Sequence, residues 1–203
     1  MITLMLAREL TGREVVTLGG DAVARIKDTV FDAGAGRITG FTLSGRGLLA
    51  GPLKRSLPFS AVHAVGPAAV MIPSEAVLAD RDAVVGSHAA GNGQVIGAPV
   101  LTDQGTAIGT VRDVVVEAGT GGRVVGFEIA ANDHFDSHRR HVFIPRGETL
   151  AVSGEAMVVP ARASHFAAAD LPSFGAQVEA FQAGAHLPHA DTPAPAEAEG
   201  DPA

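Results

Sequence analysis

The sequence predicts an all-β protein made of two tandem small β-barrels that are related by pseudo-symmetry. The first observation is an internal repeat, since Gly20–Phe41 recurs as Gly105–Phe127 with one extra glycine in the second copy. The second is a composition with 25 Gly, 12 Pro and only 4% aromatic residues, which suits short strands and tight turns. The third is a repeat period of about 85–87 residues, which is the length of a small domain rather than of a solenoid unit.

The repeat also sets the expected domain boundaries. The predicted regions are a first unit at residues 1–73, a linker at 74–93, a second unit at 94–162, and a short helix followed by a disordered acidic tail at 163–203. The linker contains His88–Gly93, whose small and polar residues are typical of flexible segments. From Ala183 onward the chain is rich in Ala, Pro and Glu, a composition that predicts disorder.

Short apolar segments bounded by turn residues predict the strands of the first unit. In chain order these segments are Ile2–Leu6, Val15–Val16, Ala22–Phe31, Arg37–Leu43, Ala61–Val65 and Ala69–Ile72. Ala22–Phe31 alternates imperfectly between apolar and polar residues, which predicts a strand with a bend or bulge. Asp32–Gly36 is rich in residues that tolerate positive φ, so it is expected to form the hairpin loop after this strand. Glu75–Arg81 is expected to form a helical turn.

The second unit repeats this order of strands. The corresponding segments are Val95–Leu101, Ala107–Val116, Arg123–Ala130, His141–Pro145 and Met157–Pro160. Beyond them, Phe166–Phe181 predicts a short amphipathic helix that docks on the barrel. Its expected apolar face consists of Leu171, Phe174, Val178 and Phe181.

The charge distribution argues against nucleic acid as a partner. No Lys or Arg follows Arg162, whereas six acids do, and the preceding residues carry 16 acids and 15 bases. A nearly neutral body with an acidic tail does not attract phosphate backbones. The absence of cysteine excludes disulfides and thiolate chemistry. No segment approaches the roughly 18 apolar residues of a membrane span, and we expect a cytoplasmic protein.

A shared motif carries a resemblance to a known family. It consists of a glycine, an apolar-x-Asp strand, a loop, Arg-apolar-x-Gly-apolar and an apolar-Pro pair. In the first unit the matching residues are Gly12, Gly20, Ile26, Asp28, Val30, Arg37, Ile38, Gly40, Phe41, Leu57 and Pro58. In the second they are Gly97, Asp103, Gly105, Gly109, Val111, Asp113, Val114, Val115, Arg123, Val124, Gly126, Phe127, Ile144 and Pro145. Ala24 stands in the first unit where the second has Gly109.

This motif resembles the PRC-barrel domain, which occurs in the cytoplasmic part of the photosynthetic reaction-centre H subunit and at the C-terminus of a ribosome-maturation factor. The resemblance implies a small β-barrel that binds other proteins or docks on a larger assembly. It does not imply catalysis or a cofactor.

Asp28 and Asp113 occupy equivalent positions in the two copies. One hypothesis is a duplicated site. The alternative, which we favour, is a structural carboxylate that accepts backbone amide hydrogen bonds or pairs with an arginine. The expected arginine partners are Arg25, Arg37, Arg112 and Arg123.

The segment Asn132–His141 carries the most unusual local chemistry of the chain. Its possible metal ligands are Asp133, His134, Asp136, His138 and His141. His134 and His138 would share a face of a helical turn. The alternatives are a solvated polar loop and a pH-sensitive contact, and we predict no metal because the spacing is not that of a defined site.

These observations favour a non-enzymatic adaptor that docks on a partner protein, on a larger assembly or on a second copy. The docking is expected to use sheet edges and the loops Ser44–Pro52 and Ala131–His141. The candidate contact residues are Leu48, Leu49, His134, Phe135, Arg139 and Arg140. Two alternatives remain, namely a ligand- or metal-responsive regulatory module and an RNA- or ribosome-associated factor.

Overall fold

The computed structural model describes residues 3–32, 34–47, 50–85, 95–119, 121–133, 135 and 141–184. Within these residues the chain forms two seven-stranded sheets and two α-helices. The strands are β1 (Leu4–Leu6), β2 (Glu14–Thr17), β3 (Ala22–Asp32), β4 (Arg37–Ser44), β5 (Pro52–Pro58), β6 (Ala64–Val65), β7 (Ala69–Ile72), β8 (Ala79–Asp80), β9 (Pro99–Thr102), β10 (Ala107–Glu117), β11 (Val124–Ala131), β12 (His141–Pro145), β13 (Ala151–Val152) and β14 (Met157–Val159). The helices are α1 (Arg81–Val85) and α2 (Leu171–Gly184).

Each repeat forms its own sheet, which confirms the predicted all-β class and the two tandem units. The first sheet has the order β6-β7-β2-β3-β4-β5-β8, and the second has the order β12-β11-β10-β9-β14-β13 with β1 added on β10. The long strands β3 and β10 are both 11 residues long. Both show register shifts against the following strand, between Ile26 and Asp28 and between Val111 and Asp113. The bulge predicted for the first copy is therefore confirmed, and the second copy repeats it.

The strand β1 crosses from the first repeat to the sheet of the second. The sequence places this segment in the first unit, but β1 pairs antiparallel with β10, so that Leu4 lies opposite Glu117 and Leu6 opposite Val115. Met5 and Leu6 are buried there. The internal repeat relates only the two copies to each other. It therefore gives no information on which sheet β1 joins, because β1 precedes the repeated segment.

The two units contact each other through their hairpins, in a reciprocal arrangement. The amide of Ile38 donates to the carbonyl of Gly122 at 2.8 Å, and the amide of Val124 donates to the carbonyl of Gly36 at 2.9 Å. The backbones of Arg37 and Arg123 pair in an isolated antiparallel β-bridge at the centre of this contact. Buried side chains from both sheets belong to one hydrophobic cluster, so the packing of the two units is continuous.

A helix covers the same glycine of the motif in each unit. A Cβ atom on Gly40 would lie 2.6 Å from the carbonyl oxygen of Leu57 and would also collide with Val84 of α1. On Gly126 it would lie 2.5 Å from the carbonyl oxygen of Ile144 and would collide with Phe174 of α2. The motif glycine is thus required by the close approach of a carbonyl oxygen of the neighbouring strand, in addition to the helix side chain.

The predicted docking helix is confirmed, with a later start than expected. Its predicted contacts Phe174 and Val178 are buried against the second sheet, and Leu171 is partly buried there. The helix begins at Leu171 because the Asp170 side chain accepts a hydrogen bond from the Ser173 amide at 2.8 Å, as N-cap residues do. The side chain of Phe181 and the tail at 185–203 lie outside the described residues.

The segment expected to contain one helical turn forms three short elements. Glu75–Val77 is a 3₁₀ helix, and β8 then pairs with β5 before α1 packs on β4 and β5. No helix in the described part of the chain is long and apolar enough to cross a bilayer.

Candidate functional site

A cleft of about 740 Å³ lies between the two units and is called the interunit cleft below. Its lining comes from the segment after β1, from β3 and β4, from α1, from the chain before β9, and from β10. The lining residues are Ala7, Arg8, Thr11, Lys27, Asp28, Thr29, Val30, Phe31, Thr42, Arg81, Val85, Val95, Ile96, Arg112 and Asp113. A volume of this size falls in the range of ligand-binding pockets. The motif acids Asp28 and Asp113 both border it, one from each unit.

On the side of the second unit, the carboxylate of Asp113 is closed off from solvent. Its two oxygens accept hydrogen bonds from the Val114 amide at 2.7 Å and from the Arg8 amide at 3.2 Å. The Arg8 guanidinium lies 3.4 Å from Asp113 and also binds Glu128. Asp113 and Glu128 are only 1% and 4% exposed. One half-exposed arginine is therefore shared by two buried carboxylates, and Arg112 lies 3.8 Å from the second of them.

Burial raises the pKa of Asp113, because an ionised carboxylate loses its hydration in this position. The nearby charge of Glu128 acts in the same direction. The amide hydrogen bonds from Val114 and Arg8, and the charge of Arg8, oppose the rise. The group is thus held in place by the N-terminal segment and is built into the structure.

On the side of the first unit, the equivalent carboxylate is open. The Asp28 side chain is 61% exposed. It accepts a hydrogen bond from the Thr42 hydroxyl at 3.0 Å and lies 3.6 Å from Lys27. Thr42 pairs with Asp28 where Glu128 pairs with Asp113. The same position of the repeat is therefore a buried charge cluster in one unit and a solvated group in the other.

The prediction that these acids accept backbone amides is confirmed for Asp113. The predicted arginine partners were wrong for both acids, since Asp113 pairs with Arg8 and Asp28 lies beside Lys27. Arg8 lies in the 3₁₀ helix Ala7–Glu9 that follows β1, and it is distant from Asp113 in sequence. Only the long-range pairing of β1 with β10 brings the two together.

The edge of β3 that borders the cleft differs from the equivalent edge of β10. In the second unit, Val115, Val116 and Glu117 pair with β1. The equivalent residues of the first unit, Val30–Asp32, pair with β4, where Val30 lies opposite Gly40 and Phe31 opposite Ile38. Their side chains are partly exposed. The two units thus differ at this stretch, because the β1 pairing belongs to β10 of the second unit.

Four cationic side chains line the interunit cleft, namely Arg8, Lys27, Arg81 and Arg112. Arg112 lies 3.8 Å from Glu128, and its guanidinium contacts a ring nitrogen of His141 at 2.8 Å. Arg81, at the start of α1, makes no ion pair with any residue in the described ranges. Ile96, which is 45% exposed, adds an apolar surface beside them. The cleft combines basic groups with exposed apolar side chains.

Most of the contact residues and metal ligands predicted from the sequence lie outside the described residues. These are Leu48, Leu49, His134, Asp136, His138, Arg139 and Arg140. Phe135 is partly buried against the core, Asp133 is exposed, and His141 begins β12 beside Arg112. Among the described residues no group of three or more His, Cys, Asp or Glu side chains is placed to hold a metal ion.

Sequence reasoning missed Arg8, Arg81 and Ile96 as residues of the cleft. The difference between Thr42 and Glu128 at equivalent positions was visible in the repeat and was a usable signal. A carboxylate in a strand that is otherwise apolar requires a partner when it is buried. The sequence therefore indicated that a cation is needed beside these acids, but it did not indicate which residue supplies it.

The family comparison agrees with the fold. The PRC-barrel domain model matches residues 2–82 and 92–165. The chain belongs to the PRC-barrel family. The two matched segments correspond to two tandem PRC-barrel units, as the internal repeat predicts, and the PRC-barrel domain is known as a protein-interaction module. No curated protein matches this chain.

Proposed function

We propose that this tandem PRC-barrel protein is a non-enzymatic adaptor that docks on a partner protein. The observation that carries the proposal is the interunit cleft, which residues of both units line. Two barrels packed through reciprocal hairpin contacts form one surface that neither barrel has alone. Interaction through such a surface fits the family's role as an interaction module.

The proposal that the protein is not an enzyme draws on the state of its most perturbed acid. Asp113 is the described group whose pKa is raised, and raised pKa values often mark catalytic acids. Here both carboxylate oxygens are already engaged by the chain's own amides and by Arg8. This arrangement supports a structural role for the acid, because its oxygens are committed to holding the N-terminal segment on β10.

The test is affinity capture with the full-length protein as bait, after chemical cross-linking in the native host. A specific partner should be displaced by an excess of the free protein, and this competition is the control for surface adsorption. Light scattering of the purified protein should give the mass of the chain without its partner. A monomer that captures no protein, but carries a bound ion or small molecule by elemental analysis and mass spectrometry, would contradict the proposal.

A further inference from the structure

The outer face of the second unit is an apolar surface with a depression that one aromatic ring fills. Val115, Val125 and Phe143 form this face, and all three are buried in one cluster with α2. Gly126 leaves a depression in the face, and the ring of Phe174 lies in it so closely that a Cβ atom on Gly126 would collide with the ring. The centroid of this ring is 5.9 Å from that of Phe143, a separation typical of favourable aromatic pairs.

The helix α2 binds the outer face through three side chains on one of its sides. Leu171, Phe174 and Val178 are three and four residues apart, a spacing that brings side chains to the same side of a helix. Phe174 and Val178 are buried, and Leu171 packs partly buried against the same cluster. The face therefore selects an amphipathic helix with an aromatic residue for the depression and an apolar residue one turn to either side.

The helix α2 is an addition to the barrel that it covers. The match to the PRC-barrel domain model ends at residue 165, and α2 begins at Leu171. The first unit builds the same order of strands with Thr39 and Ser56 at the positions equivalent to Val125 and Phe143. The sheet itself does not need an apolar outer face, so the apolar face of the second unit serves the helix.

The fit of α2 to the outer face is imperfect at two positions. The side-chain oxygen Oε1 of Gln177 is buried, and no described residue donates a hydrogen bond to it, which is unfavourable for docking. Gly175 lies inside the helix, where glycine is less favourable than alanine. A Cβ atom on Gly175 would have its nearest contact with Leu4 at 3.6 Å, which is an ordinary packing distance. A helix with an apolar residue and an alanine at these positions would fit the face better than α2 does.

We infer that the outer face of the second unit is a docking site for an amphipathic helix of a partner protein, and that α2 is a built-in cap which the partner helix displaces. The inference rests on the proposed docking function and names its surface and the class of its ligand. The partner helix carries an aromatic residue for the depression at Gly126, with apolar residues three positions before it and four after it. Docking of the apolar side of a helix on an apolar surface is a common mode of recognition.

The first test measures the affinity of a labelled synthetic peptide of residues 167–184 for full-length proteins. Phe174→Ala withdraws the ring of the cap, so this protein should bind the peptide at least about tenfold more tightly than the unchanged protein does. A peptide with Gly175→Ala and Gln177→Leu should bind still more tightly. A peptide with Phe174→Ala is the matched control and should not bind. Equal affinity for the two proteins, or no binding to either, would overturn the inference.

Amide hydrogen exchange then locates the bound peptide on the Phe174→Ala protein. The peptide should slow exchange in β11 and β12 and leave β4 and β5 of the first unit unchanged, as the internal control. Adding Val125→Thr places a hydroxyl on the outer face and should weaken the peptide by about tenfold. This substitution copies Thr39, which the first sheet already accommodates at the equivalent position. Protection of the first sheet instead, or an unchanged affinity after Val125→Thr, would refute the assigned site.

The natural partner, isolated by cross-linking, separates this inference from the proposed function. Its affinity should rise at least about tenfold with Phe174→Ala and fall again when Val125→Thr is added. A partner that binds the unchanged protein and both variants equally would leave the docking function standing and overturn the outer face as its site. A dimer of the unchanged protein that Phe174→Ala dissociates, as measured by light scattering, would identify α2 of a second copy as the occupant and would also contradict the inference.

Discussion

The two units share one backbone plan and differ in how it is closed. In the second unit, Val115, Val125 and Phe143 form an apolar outer face beneath α2. The corresponding positions of the first unit are Val30, Thr39 and Ser56, beneath the short helix α1. The comparison shows that the repeated motif fixes the sheet, whereas the segments outside the motif decide which surfaces remain open.

Two polar side chains of the first unit carry a cost that the apolar residues at the equivalent positions of the second unit avoid. The hydroxyl oxygens of Thr29 and Ser56 are buried without a hydrogen-bond partner in the described residues. An unsatisfied buried polar group typically costs about 1–3 kcal/mol. Their apolar counterparts Val114 and Phe143 make no such demand. Of the two polar residues, Thr29 lines the interunit cleft.

The largest expected effect is on removal of residues 1–9, which deletes β1 and Arg8. Loss of the buried side chains of Met5 and Leu6, together with the Arg8 ion pairs, should lower the free energy of unfolding by roughly 5 kcal/mol or more. The destabilisation should be confined mainly to the second unit. Amide exchange should accelerate in β10 and much less in β3, which serves as the internal control. Equal acceleration in both strands would show that β1 does not distinguish the units.

A smaller effect is expected for Phe174→Ala, which removes the ring that covers Gly126. Truncation of a buried phenylalanine should lower the free energy of unfolding by about 3–5 kcal/mol. The matched change in the first unit, Val84→Ala, removes fewer atoms and should cost roughly 2 kcal/mol. Urea denaturation of both variants measures the difference. Equal costs would mean that the two helices cap their sheets to the same degree.

The third prediction concerns the buried charge cluster. Arg8→Ala leaves Asp113 and Glu128 without their shared cation, and it should lower the free energy of unfolding by about 1.5–3 kcal/mol. The control is Arg25→Ala, because Arg25 pairs with Glu14 at 3.4 Å on the surface and such pairs contribute about 0–1 kcal/mol. Comparable losses in the two variants, measured by urea denaturation, would contradict the cluster's importance.

The smallest effect is the pH dependence of Asp113. Since burial raises its pKa in the folded state, the folded chain holds this proton more tightly than the unfolded chain. Its contribution therefore lowers the free energy of unfolding as pH rises from the ordinary carboxyl range through the raised pKa, and the loss is complete above that value. Stability of the unchanged protein relative to Asp113→Asn should thus increase as pH falls. Urea titrations of both proteins at several pH values measure this difference, and a difference that does not change with pH would contradict the prediction.

The sequence predicted the parts of the fold that short-range patterns encode. Ala22–Phe31 was expected to bend, and the bulge is present. The apolar positions Phe174 and Val178 were expected on the docked face of a helix, and both are buried. In contrast, Leu171 as the helix start depended on the cap by Asp170, a signal that the hydrophobic period does not contain.

The candidate site was harder to predict than the fold. The contact residues proposed on the loops lie largely outside the described residues, and the cleft instead joins Arg8, Arg81 and Ile96, which come from three separate segments. None of them belongs to the repeated motif. A search for equivalent residues in the two copies cannot find a site made of residues that have no equivalent.

By itself the sequence determined two PRC-barrel sheets, their hairpins, and the glycines Gly40 and Gly126 at one place in each. It did so because strand alternation, turn residues and internal repetition are local properties of the chain. Only the tertiary structure decided that β1 joins the other unit, that Arg8 closes over Asp113, and that residues of β3 line the interunit cleft. Those facts depend on pairing between segments about a hundred residues apart, where the free energy of burial and ion pairing, rather than local preference, selects the partner.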